Sequence, residues 1–235
     1  MSKYKHLFFD LDNTLYDFEA NSYMAMKEAF GELGLLEKIP SFEEYFEVYS
    51  EINTALWVEY REQRMPKDIL RGKRHADSLA HFDIKPDIEP RAIDDLYLEN
   101  MTAQTELFPD TIDVLTELEK RGYIIHIITN GFKEVQHQKL ENTGLKPFLT
   151  NVFISEVIQA PKPAHEIFEY AIKSSNARKT ESLMIGDSWE SDIIGAKNYG
   201  IDQVFFQLNN ETPDYGKFGE PTYTITSLKE LLTIL

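Results

Sequence analysis

Cysteine is absent from the 235 residues. That excludes disulfides, thiolate metal sites and thiol nucleophiles together, and it fits a cytoplasmic address, because disulfides belong to oxidising compartments. Basic side chains are few: 24 Lys and Arg stand against 40 Asp and Glu, a net charge of −16. So acidic a chain lacks the basic surface needed to grip a polymeric nucleic acid. A small anionic substrate held through a metal ion stays open. Long apolar runs are missing as well, and nothing approaches the ~18 residues of a membrane span. The N-terminus runs straight into a strand-like segment without the apolar region of a signal peptide. Hydrophobic residues make up 42% and aromatic ones 12%, which supports a real core and argues against a disordered acidic chain.

Short apolar runs with strand-like bounds occur at His6–Asp10, Tyr123–Thr129, Asn151–Ile154, Ser182–Gly186 and Gln203–Phe206, with a weaker one at Tyr223–Ile225. The second is nearly continuous in apolar residues, as expected of a parallel strand covered on both faces. Helical patterns separate the later runs: Asp110–Arg121, with Ile112, Leu115 and Leu118 on one face, then Lys133–Asn142, Ala164–Lys173 and Asp192–Tyr199, and a last helix from Ser227. Strands alternating with helices predict an α/β fold, a Rossmann-like core with a mostly parallel sheet. Between the first two strands the rhythm breaks. Helices are predicted at Phe18–Leu33, Phe42–Gln63, Pro66–Phe82 and Pro90–Met101, with no strand among them. A crossover needs only a dozen or so residues. The sequence therefore predicts a core of residues 1–15 and 104–235 and an inserted all-helical domain at 16–103.

Four polar clusters fall at or just past predicted strand ends, the edge where ligands bind in open α/β sheets. Asp10-Leu11-Asp12-Asn13-Thr14 offers two carboxylates aimed alike. Thr129-Asn130-Gly131 offers a hydroxyl, an amide and a turn into a helix N-terminus, which suits an anionic oxygen. Pro161-Lys162-Pro163 is a stiffened lysine, and Gly186-Asp187-Ser188 carries Asp192 one turn on. Clustered carboxylates repel unless a cation sits between them. Oxygen ligands without Cys or a nearby His suit Mg²⁺. The lysine, hydroxyl and backbone N–H groups would cradle a phosphoryl group, whose transfer needs positioning and charge neutralisation above all.

These clusters, in this order, resemble the four motifs of the haloacid dehalogenase superfamily of phosphohydrolases, and the helical insert resembles the family's cap after the first strand. The resemblance implies that Asp10 is the nucleophile, forming an aspartyl-phosphate and binding Mg²⁺ through its other oxygen. Asp12 would protonate the leaving alkoxide, then deprotonate water, and ligate the metal through its carbonyl. Thr129 and the Asn130 N–H would hold phosphoryl oxygens, and Lys162 would neutralise charge on Asp10 and the phosphoryl group. Asp187 would ligate Mg²⁺, with Asp192 ligating or orienting Lys162. The cap would close over the substrate. Halide-displacing members usually lack the second acid, so Asp12 favours a phosphatase.

Leu15-Tyr16-Asp17-Phe18, Ile128–Phe132 and Phe153-Ile154-Ser155-Glu156 are similar to house-cleaning pyrimidine 5′-nucleotidases, implying a nucleoside monophosphate as partner. Gln159-Ala160 departs from the glycine that many relatives place before the lysine loop, and Asn198-Tyr199 departs from small residues. Alternatives are a phosphatase of sugar or glycolate phosphates, a phosphomutase, a phospho-accepting signalling module and a non-catalytic scaffold. Arg61, Arg64, Lys67, Arg71, Lys73 and Arg74 are read as a solvated face, or as contacts to a nucleotide. His75 and His81 are placed on a helix face, His126 is read as a packed histidine, and Met24, Met26, Tyr45, Phe46 and Tyr49 as core.

Overall fold

The computed structural model describes residues 3–209 and 213–235. Six strands form one sheet in the order β3-β2-β1-β4-β5-β6: β1 (His6–Phe9), β2 (Ile124–Thr129), β3 (Leu149–Ile154), β4 (Ser182–Gly186), β5 (Asp202–Phe206) and β6 (Tyr223–Ile225). Every pairing is parallel. The chain builds outward from β1 to β2 and β3, then returns to the other side of β1 with β4. That reversal puts the topological switch point between β1 and β4, where α/β sheets of this strand order bind ligands.

The strands are the apolar runs of the sequence because both faces are covered. All four residues of β1 and all five of β4 are buried. On one face Phe8, Ile128, Phe153 and Met184 pack against Ile167, Phe168 and Ile172 of α8 (His165–Ser174). His126 is a packed histidine: its ring stacks on Phe8 at 4.7 Å and its Nε2 lies 3.1 Å from His6 Nδ1. Burial, reinforced by His6, pushes its pKa down to about 4. On α5 (Thr111–Lys120) the buried stripe is Thr111, Val114, Leu115 and Leu118, while Ile112 is exposed. The expected Ile112–Leu115–Leu118 stripe advances by threes and drifts off a 3.6-residue repeat.

Two compact units emerge: Met1–Phe18 with Thr105–Leu235, and Glu19–Gln104. Tyr16–Phe18 goes with the sheet because Tyr16 bridges Leu107 in the antiparallel sense and the Asp17 N–H donates to Glu106 O at 3.2 Å.

The second unit is helical: α1 (Phe18–Glu32, but for its first residue), α2 (Phe42–Arg61), α3 (Lys67–His81) and α4 (Pro90–Ala103). Ser41 caps α2, accepting from the Glu44 N–H at 3.2 Å, and Pro90 opens α4 where a missing N–H costs little. Tyr45, Phe46, Tyr49 and Met26 are core as predicted; Met24 is exposed. The predicted cationic face divides. Arg64 is exposed and pairs with Glu59 at 2.7 Å, and Lys73 pairs with Asp77 at 2.7 Å. Arg71 and Arg74 are instead buried against Asp94, at 2.5 and 2.6 Å, with His75 Nε2 at 3.2 Å from the same carboxylate. Those two arginines are committed inside the unit, and His75 is fully buried, unlike exposed His81. No helix among the described residues is long and apolar enough to cross a membrane.

Candidate active site

The site gathers at the C-terminal edge of the central strands. Asp10 follows the last residue of β1, and its N–H donates to Ile185 O of β4 at 2.8 Å. Thr129 ends β2, and Gly186 ends β4 just before Asp187. A turn of π-helix, Trp189–Ile194, then carries Asp192 inward, where it is fully buried. Helical periodicity had predicted an ordinary helix from Asp192 to Tyr199. The α-helix there is α9 (Gly195–Tyr199), and the wider π turn is a form that recurs at functional sites.

Lys162 stands at the centre. Its Nζ donates to Asp10 Oδ1 at 2.7 Å and Ile128 O at 2.8 Å, and lies 2.7 Å from Asp192 Oδ1. An ammonium has three donors; two are spent on these hydrogen bonds and Asp192 is held in ion-pair contact, so the group serves the site as a fixed charge. The loop bearing it is clamped by Asn130, whose Oδ1 accepts from the Lys162 N–H at 2.8 Å and whose Nδ2 donates to Lys162 O at 3.0 Å. The sequence offers the Asn130 amide to an anionic oxygen; in the structure both of its polar atoms are spent on the Lys162 backbone instead. Upstream lies the short α7 (Ser155–Ile158), also absent from the sequence reading. Gln159 closes it with φ +60°, in the left-handed region that favours glycine. A non-glycine residue there costs roughly 1–2 kcal/mol.

Thr14 joins the first and fourth motifs. Its hydroxyl donates to Asp187 Oδ1 at 3.1 Å and accepts from the Asp187 N–H at 3.2 Å. Asp192 Oδ2 accepts from the Ser188 N–H at 3.1 Å. A Cβ at Gly186 would lie 2.3 Å from that same Oδ2, so only glycine lets the Asp192 side chain cross the end of β4.

Asp10, Asp187 and Asp192 each bring a carboxylate oxygen within 4.8 Å of the other two. Burial, and the neighbouring Asp192 carboxylate against the pull of Lys162, raise the Asp10 pKa to about 7. Burial, together with Asp10 and Asp192, holds Asp187 well above the usual carboxylate range. Lys162 is held above its ordinary value because the carboxylates outweigh its own desolvation. Three carboxylates against one ammonium leave two negative charges in excess. An all-oxygen donor set with that deficit fits a hard divalent cation of the Mg²⁺ class.

Thr129 and Asp12 meet on α6 (Lys133–Asn142). Gln136 Nε2 donates to Thr129 Oγ1 and to Asp12 Oδ2, each at 2.7 Å, and Lys139 Nζ donates to Asp12 Oδ1 at 2.7 Å. Thr129 Oγ1 also accepts from the Gly131 N–H at 3.1 Å. With both lone pairs engaged, its own hydrogen is what it can offer an anionic oxygen. A Cβ at Gly131 would fall 1.9 Å from Gln136 Nε2, so glycine is what admits the amide. Gln136 and Lys139 escaped the sequence reading. Their signal is two long polar side chains at i, i+3 on the face that α6 buries with Val135 and Leu140.

The family model for haloacid dehalogenase-like hydrolases matches residues 4–200. The chain is 33% identical to the pyrimidine 5′-nucleotidase PynA of Streptococcus pneumoniae, over 99% of this chain and 95% of that protein. It is 30% identical to the pyrimidine 5′-nucleotidase YjjG of Escherichia coli, over 99% of this chain and 98% of that one. Among solved structures, the HAD-hydrolase YfnB of Bacillus subtilis bound to magnesium superposes with a TM-score of 0.88 at 27% identity, covering 100% of this chain and 99% of that one.

Proposed function

The chain belongs to the haloacid dehalogenase-like hydrolases, and on that premise we propose a Mg²⁺-dependent phosphomonoesterase that works through an aspartyl-phosphate on pyrimidine nucleoside 5′-monophosphates. One observation carries the chemistry: Asp10 lies 2.7 Å from Lys162 within a buried group of three carboxylates that a single ammonium leaves two charges short. Asp10, Asp187, Asp192 and the Asp12 carbonyl would hold the cation. Bound there, Mg²⁺ keeps the buried acids ionised and offsets charge on the phosphoryl oxygens.

In the first step an Asp10 carboxylate oxygen forms a bond to phosphorus as the ester P–O bond breaks. The electron pair goes to the ester oxygen, which takes the proton carried by Asp12. In the second step water attacks phosphorus while Asp12 takes its proton. Phosphate leaves and the Asp10 carboxylate is restored. The Thr129 hydroxyl and the Asn130 N–H hold the phosphoryl oxygens, and Lys162 balances charge on Asp10 throughout.

The nucleotide preference rests on full-length likeness to two pyrimidine 5′-nucleotidases. A phosphate-release screen over nucleoside 5′-monophosphates and sugar phosphates tests it, with acid-quenched protein assayed for label from a ³²P-labelled ester. Highest kcat/KM on pyrimidine monophosphates and label retained on the protein are expected. Preference for a sugar phosphate removes the substrate assignment, and quenched protein that never carries label removes the covalent mechanism.

A further inference from the structure

Neither Gln136 nor Lys139 belongs to the four motifs, yet together they occupy both oxygens of the second acid. Lys139 is 3% exposed, and its ammonium lies 4.4 Å from the ring centroid of Tyr16 and 5.2 Å from that of Phe18. A buried lysine is costly unless its charge is met, and here it is met by Asp12 and two aromatic faces. Gln136 is 1% exposed, and one amide nitrogen serves both Asp12 and Thr129. An aspartate side chain has two torsions. Donors on each oxygen, projecting from one helix, fix the second of them and so fix the plane of the carboxyl group.

We propose that Lys139 and Gln136 are positioning residues for the protonation of the leaving group, orienting Asp12 and, through the shared Gln136 amide, tying it to the threonine that receives the phosphoryl oxygens. The inference rests on the phosphomonoesterase reading and refines it. As the ester P–O bond breaks, the electron pair passes to the ester oxygen and the Asp12 proton follows it. A carboxyl group has about four lone-pair directions. Each oxygen can therefore keep its donor from α6 while one of them carries the proton toward the ester oxygen. A carboxyl group free to rotate would present that proton only part of the time.

Leaving-group dependence separates orientation from general structural damage. A nucleoside alkoxide needs a proton to depart, whereas p-nitrophenolate leaves without one. kcat/KM reports the steps up to that departure. The comparison uses the full-length protein with Mg²⁺, a pyrimidine nucleoside 5′-monophosphate and p-nitrophenyl phosphate. Lys139→Met is expected to lower kcat/KM on the nucleotide by roughly 10- to 100-fold and on the aryl ester by no more than about 3-fold. Lys139→Arg, which keeps the cation, is expected to recover most of the nucleotide activity. Equal losses on the two esters, or an unchanged nucleotide rate, would overturn the proposal. Should Lys139→Met fail to fold by circular dichroism, Gln136→Met carries the comparison as a ratio: because its amide also serves Thr129, both esters slow, the nucleotide by roughly 10-fold more than the aryl ester, and equal losses are equally fatal. A wild-type protein that releases phosphate from neither ester would instead overturn the phosphomonoesterase reading, and the inference with it.

Discussion

Asp94 in the helical unit and Asp10 in the sheet unit are both buried aspartates in contact with cations, and their surroundings push them in opposite directions. Asp94 meets Arg71, Arg74 and His75. Despite its burial, Arg74 and His75, with Arg71, hold its carboxyl well below the usual range. Positive charge is matched there: Arg71 also pairs with Asp95 at 2.6 Å, and Asn53 Oδ1, 3.2 Å from Arg74 Nη1, helps satisfy the other guanidinium. Asp10 shares one lysine with Asp192 beside a third acid, and its pKa rises to about 7. A buried cluster whose cations match its acids serves the fold. One left short of positive charge is costly to the fold and is explained by what it binds.

The widest separation between the two clusters comes from removing one acid from each. Asp10→Asn is expected to lower kcat by on the order of 10⁴-fold or more, while the metal-free protein loses no thermal stability, because an overcrowded charge has gone. Steady-state kinetics and calorimetry on the same preparation check this, and a substantial fall in Tm would put the two clusters in one class.

Asp94→Asn should do the reverse. It takes the buried carboxylate from Arg74 and leaves Arg71 to Asp95, a loss of roughly 3–5 kcal/mol, and lowers the unfolding temperature of the helical unit by roughly 12–40 °C. Two resolved calorimetric transitions would show which unit is affected; an unchanged thermogram would mean the arginines do not need their partner.

The smallest effect sharpens the contrast. Mg²⁺ at a hundred times its Kd at pH 7 is expected to stabilise the wild type by about 2.7 kcal/mol, and the same concentration by more at pH 8 than at pH 5. The folded pKa of Asp10, about 7, lies above its unfolded value. Between the two the folded, metal-free protein therefore holds a proton that the unfolded chain has lost. Stability from that proton is present below the unfolded value and lost as pH rises through about 7. A cation binding the ionised form must expel the proton, so its hold strengthens with pH. Thermal shifts with and without Mg²⁺ across that range check the sign, and a stabilisation larger at pH 5 would reverse it.

Much of this was legible in the chain because it depends on local pattern. Continuous apolar runs mark strands covered on both faces, and β4 and β6 carry the predicted bounds. The four polar clusters were visible because a parallel sheet brings every strand's C-terminal end to one edge. The fates of Arg71 and Arg74 were not legible, since a helix sequence gives spacing but not the partner that waits 20 or more residues away. Asp94 is that partner. Gln136 and Lys139 were missed for a related reason: on a helix of weak amphipathicity, long polar side chains look solvated until the strand ends beside them are in place.

The amino-acid order alone determined the alternation of strands and helices, the position of the insert, and which acids, lysine and threonine reach the sheet's ligand-binding edge. Periodicity and strand polarity are properties of short stretches. Only the folded chain decided which charges are matched and which are in excess, that Lys162 is shared between Asp10 and Asp192, and that the second acid is held from α6. Electrostatic balance depends on distances between groups far apart in the chain and on how much water is excluded around them, and no local pattern encodes either.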